Sequence, residues 1–322
     1  MAYPASTTDE NVAPRLPFPA WVMLAYVAAG AAYRLVEVAT GTVREAFRYP
    51  HMPLDPITGT AYGLFVLLVI VSMYGVLSRR AWGRKAFVFT LLARYGMVLA
   101  SRIPMYIAED RFSFPGYDMF RWVGLFSTIV VEGCLTAFLV SYLYSREVSE
   151  ALGRSRAAPE SEGRPMGAAR LPLPAKLLAV LVLLQGIAAI AWTVPLFSYY
   201  LTSGFSLSSL SPDRLLMSRE LQPFLFAALG LAGAIAGVGI LWRQGWGRWL
   251  LIIFVGLNVL VAVGGCLSRY TYSLSSESFS RLRMDAWDPV LGVLGAAAYG
   301  LLLVSYALSE PVSRALADEP AD

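Results

Sequence analysis

Five charged side chains fall within or at the ends of long apolar stretches: Arg34, Glu37, Arg94, Arg102 and Glu132. An ionised group in hydrocarbon costs a few kcal/mol or more, so such residues face a bundle interior and find partners. The chemistry open to this set is electrostatic. The arginines can draw an anionic solute or lipid headgroup, and the single deep carboxylate, Glu132, can titrate or pin an arginine. At 1.5 Å of rise per residue, Arg94 lies roughly 12 Å and Glu132 roughly 15 Å from the same edge of their apolar stretches. The two stretches are consecutive, so the side chains can meet near mid-depth. Arg34 and Arg102 come at roughly 22 and 24 Å, in the other half, with Glu37 at the rim. Arg34 and Glu37 are three apart and share a helix face.

Two readings follow. In the first, Arg94 and Glu132 form an ion pair that specifies helix packing, and the outer charges snorkel to the interface. In the second, the charges mark a polar cavity in the N-terminal half, open to the outside and lined by Arg34, Arg94 and Arg102, where Glu132 titrates. Other chemistry finds little support. No P-loop, GxSxG, HExxH or CxxC motif occurs. His51 is the only histidine, and it sits in an expected outer loop. Cys134 and Cys266 fall at different depths and should be free thiols. No cofactor and no metal centre is therefore expected. A carboxylate-based intramembrane enzyme needs a second deep acid, so the chain reads as non-enzymatic.

What positions these residues is a set of eight apolar stretches, at 19–38, 58–77, 86–107, 122–142, 174–197, 224–241, 249–267 and 289–308. Each is long enough to cross a hydrocarbon core of roughly 30 Å as a helix. Hydrophobic residues make up 57% of the chain and charged residues 15%, and the mean hydropathy is +0.57. This balance excludes an ordinary soluble domain. The net charge of +4 is spread along the chain and gives no nucleic-acid patch. Basic residues instead report topology. Arg79, Arg80, Arg84 and Lys85 follow the second stretch, and Arg146, Arg154, Arg156, Arg164, Arg170 and Lys176 follow the fourth. Both segments should face the cytoplasm, and so should both termini. Arginine outnumbers lysine 24 to 2, which suggests a GC-rich bacterium and hence a plasma (inner) membrane.

The chain also repeats itself. "GVLSRRAWGRK" at 75–85 matches "GILWRQGWGRW" at 239–249 in six of eleven positions, and "LVSYLYSREVSEAL" at 139–152 matches "LVSYALSEPVSRAL" at 303–316 in nine of fourteen. Both pairs share an offset of 164 positions, while "RLPFPA" and "RLPLPA" at 15–20 and 170–175 differ by 155. Shared offsets imply an all-α polytopic protein of eight transmembrane helices, built as a tandem, parallel duplication of a four-helix bundle unit. The expected divisions are an N-terminal tail (1–18), a first repeat (19–143), a flexible cytoplasmic linker (144–171), a second repeat (172–309) and a C-terminal tail (310–322). Trp82-Gly83-Arg84 and Trp246-Gly247-Arg248 then mark equivalent turns, with tryptophan in the headgroup layer and glycine easing the reversal.

The halves differ where chemistry is concentrated. At the two offsets, Arg34, Glu37, Arg94, Arg102 and Glu132 correspond to Ala189, Trp192, Asn258, Cys266 and Ala296. In place of charge, the second half carries small residues. Gly233 and Gly237 offer a close contact between the halves or across a homodimer, and Gln185 and Asn258 can bond between helices. The outer connections are long and aromatic, as in "REAFRYPHMPLDP" and "EDRFSFPGYDMFRW". The function expected first is binding or organising a protein partner or lipid through these loops. The alternative is a transporter or channel for a small anionic solute through the N-terminal polar cavity.

Overall fold

The computed structural model describes residues 16–48, 56–108, 117–152, 171–202, 222–275 and 287–317. Among them the chain is helical and contains no strand. In order, the helices are α1 (Phe18–Arg48), α2 (Pro56–Leu77), α3 (Ala81–Ala108), α4 (Tyr117–Phe126), α5 (Glu132–Leu143), α6 (Arg146–Ala151), α7 (Leu173–Thr202), α8 (Gln222–Leu241), α9 (Gly245–Ser275), α10 (Trp287–Ala307) and α11 (Glu310–Ala317). A π-helical segment, Ser127–Val131, joins α4 to α5.

Among the described residues, six helical stretches are long and apolar enough to cross a membrane: Thr60–Leu77, Trp82–Ile103, Arg121–Leu143, Leu173–Val194, Phe224–Leu241 and Gly245–Gly264. Their outward faces carry exposed Leu64, Leu67, Ile70, Phe89, Leu231, Ile253 and Leu260. Water would reject such surfaces, whereas lipid accepts them. The chain is a multi-pass helical membrane protein. The other two expected spans are apolar over shorter described stretches, Phe18–Tyr33 and Val293–Ala307. In α1 the apolar run meets Arg34 and then Glu37, and α10 starts with Trp287 and Asp288.

Apart from the short α6, helices adjacent in sequence pack side by side from α1 to α10, α4 and α5 acting as one and meeting α7 directly, and α10 returns to pack on α1. The bundle is therefore a closed ring. Its core is concentrated where α2 meets α3 and α8 meets α9, here termed the Trp-Gly-Arg end. Phe87, Leu91, Phe138, Leu139, Tyr142, Leu143, Leu178 and Leu181 are all buried there. The Tyr142 and Tyr306 rings meet edge-on at 5.1 Å near the middle of this end, a favoured aromatic geometry.

The two Trp-Gly-Arg turns have one geometry. Arg79 and Arg243 adopt φ of 53° and 61°, so arginine makes each reversal. The glycines serve close approach instead. A Cβ on Gly83 would lie 2.1 Å from the Gly75 carbonyl carbon, and one on Gly247 would lie 2.6 Å from the Ile240 nitrogen. Each tryptophan covers the glycine opposite, Trp82 over Gly75 and Trp246 over Gly239. The arginines of the two phrases clasp the short helices that follow. Arg84 Nη2 donates to Ser149 Oγ at 2.9 Å, and Arg248 Nη1 donates to Ser313 Oγ at 2.7 Å. Segments expected as an unstructured linker and tail thus begin as helices α6 and α11. Their apolar sides (Val148 and Ala151, Val312 and Ala315) are buried, which fixes them against the bundle.

The first and third helices of each half run long. Helices α1, α3, α7 and α9 have 31, 28, 30 and 31 residues, against 22 and 20 for α2 and α8. At 1.5 Å per residue, the long ones reach roughly 42–46 Å and overrun a hydrocarbon core of about 30 Å. Part of the expected outer loops is therefore helix.

The small residues of α8 are used inside the chain. Cβ atoms on Gly186, Gly230 and Gly237 would come within 2.4, 2.6 and 2.7 Å of atoms on the facing helix, mostly backbone, and one on Gly233 within 2.8 Å of the Phe254 ring. Gly233 and Gly237, expected at a contact between the halves or across a homodimer, are buried against α9 and α7 within the C-terminal half.

Two predictions follow from this packing. Gly186→Ala should force α7 and α8 apart and destabilise the protein by about 1–3 kcal/mol. Gly63→Ala, where nothing lies within 4 Å, should be neutral or stabilising; thermal unfolding in detergent reads both. At the Trp-Gly-Arg end, burial together with the charges of Glu310 and Glu150 holds the Glu147 carboxyl above its ordinary range. A carboxyl with a raised folded pKa disfavours folding once ionised, and that burden lifts as pH falls through the folded value. Glu147→Gln should therefore raise the Tm at pH 7, and its advantage should shrink in acid through the carboxylate range.

Candidate functional site

Helix α3 carries Arg94 about 20 Å from its start, and α5 begins with Glu132 directly after the π-helical segment. The structure brings them together, with Arg94 Nη2 3.2 Å from Glu132 Oε2. The same nitrogen donates to the Tyr26 hydroxyl of α1 at 3.0 Å, and the guanidinium carbon stands 5.5 Å from the Tyr26 ring centre. The Tyr26 ring in turn lies 5.8 Å from that of Tyr299 on α10, tilted by 47°. Gln185 of α7 donates to the Tyr299 hydroxyl. One polar chain thus runs Glu132–Arg94–Tyr26, then across an aromatic contact to Tyr299 and Gln185. It links five helices, at the place where α1 and α10 close the ring.

The pair is not fully satisfied. Arg94 Nη1 is buried and donates to nothing, and Glu132 Oε2 accepts no aligned hydrogen bond. A buried polar atom without a partner costs about 1–3 kcal/mol, more when charged. Such atoms call for a water or a ligand group.

Arg94 and Glu132 border a cavity of about 580 Å³, lined by α1, α2, α3, α5 and α10. Tyr26, Tyr33, Tyr62 and Phe65 give it aromatic walls, Arg94 and Glu132 lie at its inner end, and Ser101 and Arg102 lie further out on α3. Arg102 is exposed and stands about 12 Å along the helix from Arg94. An ion pair and a cavity that reaches it thus occur together. Arg34 and Glu37 are placed on α1, but their side chains lie outside the described residues, as does that of Cys266. His51 and the central segments of the outer loops, 49–55, 109–116, 203–221 and 276–286, also lie outside them. Cys134 is a free thiol whose Sγ is 3.6 Å from the Leu177 carbonyl oxygen.

A second cavity of about 580 Å³ lies among α7, α8, α9, α10 and the π-helical segment. Its wall includes Phe226, Leu229, Asn258, Val261, Ala262 and Ala296. Each stands 164 positions after a residue of the first cavity: Tyr62, Phe65, Arg94, Met97, Val98 and Glu132. Tyr299 and Ala296 border both cavities. Asn258, at the position matching Arg94, bonds the Phe254 carbonyl of its own helix at 2.8 Å.

Sequence reasoning missed Tyr26, Tyr299 and the π-helical segment. The signal for the tyrosines was available, because at the two offsets they face Leu181 and Leu135, departures from the repeat like those of the charges. The chain matches no protein-family model, no curated protein and no solved structure. Function therefore rests on this geometry.

A double-mutant cycle tests whether the pair acts as a unit. Arg94→Met or Glu132→Met alone leaves a buried charge and should cost about 3–5 kcal/mol of stability. The double variant should recover most of that loss. Small, additive effects would instead mean that the two charges are solvated separately.

Proposed function

We propose that this chain is a non-enzymatic plasma-membrane protein of eight spans, a parallel duplication of a four-helix unit, whose N-terminal unit binds an anionic amphiphile. The cavity reaching Arg94 carries this reading. An under-satisfied ion pair lies at its inner end, apolar and aromatic walls line its middle, and Arg102 supplies a further cation toward the outside. Arginine draws phosphate and carboxylate groups, while the walls favour a hydrocarbon body over a hydrated ion. Binding inside the bundle thus gains ground over binding at the loops.

The duplication is supported by paired details at one offset of 164. These are the left-handed Arg79 and Arg243, the Arg84–Ser149 and Arg248–Ser313 clasps, and six equivalent positions in the two cavities. The arginines of the Trp-Gly-Arg end favour placing that end, and both termini, in the cytoplasm of a bacterial cell. The cavities then open toward the outer side. Transport of a small anion is the second reading. Against it stand Phe87, Leu91, Phe138, Leu139 and Leu143, which fill the route from the cavity to the Trp-Gly-Arg end.

The test titrates phosphatidic acid, phosphatidylcholine and inorganic phosphate into the protein in uncharged detergent and follows thermal unfolding. Phosphatidic acid should stabilise by about 2.7 kcal/mol at a hundred times its dissociation constant, and the zwitterionic lipid should not. Inorganic phosphate acting equally well would favour a free solute. Gly30→Leu projects a side chain into open space in the cavity wall, and it should abolish the effect, as should Arg102→Gln. Stabilisation that survives both substitutions would exclude this cavity.

A further inference from the structure

The second cavity plays no part in that reading, and its chemistry differs. No charged residue lines it. Where the first cavity has Arg94 and Glu132, this one has Asn258 and Ala296. A charged headgroup would sit here without a counter-charge, which a low-dielectric interior penalises heavily. An uncharged molecule meets no such penalty.

One polar atom of the wall still lacks a partner. Ser127 lines the cavity, and its Oγ is buried without a hydrogen bond. Ser127 also opens the π-helical segment Ser127–Val131. Such single-turn π segments are rare and concentrate at functional sites. At the matching offset α10 is regular helix. The π turn is thus a property of one half only, and it falls between the two cavities: Ser127 and Val131 border the second, and the next residue, Glu132, borders the first. Tyr95 of α3 donates to the Ile129 carbonyl at 2.7 Å, so a side chain takes up a carbonyl within the π segment. The hydroxyl of Ser127 is left unused. Trp192, Phe226 and Phe254 supply apolar surface around it. The volume falls within the roughly 300–1,000 Å³ that holds a small ligand.

We infer that the cavity among α7–α10 is a second binding site, selective for an uncharged single-chain amphiphile whose hydroxyl or carbonyl group hydrogen-bonds Ser127. The duplicated scaffold then offers two sites of similar volume and opposite preference, charged heads in the N-terminal unit and neutral heads in the C-terminal one.

The probes are hexadecanol, hexadecane and hexadecyl phosphate, each carrying a diazirine on the chain and photolysed with the full-length protein in phosphatidylcholine nanodiscs. Labelled residues are mapped by mass spectrometry. Hexadecanol should label residues 185–192 and 254–262 above the lipid-facing Leu231 and Ile235, and Ala262→Phe, which fills the cavity, should remove that enrichment. Ser127→Ala removes only a hydroxyl and carries the test should the filled variant fail to fold. It should lower the alcohol-to-alkane labelling ratio by about threefold to tenfold, the worth of one neutral hydrogen bond. Hexadecyl phosphate should leave these residues unlabelled. The inference is overturned if the alcohol labels cavity and lipid-facing residues alike, if Ser127→Ala leaves the ratio unchanged, or if the phosphate labels this cavity as strongly as the alcohol does.

Discussion

An arginine halfway along a hydrocarbon-embedded helix must be neutralised from within the protein, and much of this bundle's architecture answers that demand at Arg94. Glu132 supplies the counter-charge at 3.2 Å, and Tyr26 supplies an oxygen at 3.0 Å. Tyr26 belongs to α1, and its ring contacts Tyr299 of α10. The contact that satisfies the charge is therefore continuous with the one that closes the ring. Aromatic pairs of this kind add roughly 0.5–1.5 kcal/mol beyond their burial, modest beside the cost of leaving Arg94 alone.

The rest of the interior divides by polarity along the bundle axis. At the Trp-Gly-Arg end, glycine contacts bring helices together and large apolar side chains fill the space between them. Towards the far end the helices lengthen and the packing opens into two cavities. Close packing at one end gives a rigid base, and the binding surfaces stand on helices anchored in it. A site on such helices holds its geometry better than one on loops.

Much of this was legible in the sequence. Long apolar runs announced the helices because hydrocarbon leaves a single chain few ways to satisfy its backbone. The depths of Arg94 and Glu132 placed them within reach because helical rise is fixed. Other features depended on tertiary contacts that no local pattern reveals. Gly83 read as a turn residue, yet the left-handed position is Arg79, and the glycine is there for its neighbour Gly75. Gly237 read as a contact between the halves or across a homodimer, yet it meets Ala179 and Leu183 of the neighbouring helix in its own half. Spacing identifies a small-residue face but not which surface covers it. The π-helical segment left no sequence trace at all, since Ser-Thr-Ile-Val-Val is compatible with ordinary helix or strand.

The closed order of the ring carries a topological consequence. Long helices adjacent in sequence are adjacent in space, and α10 completes the circuit against α1, so no long helix occupies a privileged place in the series. A chain severed between residues 152 and 171 and rejoined at its outer ends would retain every helix-to-helix neighbour. Circular permutants of this kind are tolerated where few contacts cross the cut. The cut would also part the two interiors: the charges of Arg94 and Glu132 line a cavity on one side of it, and the cavity with Asn258 and Ala296 at the matching positions lies mainly on the other.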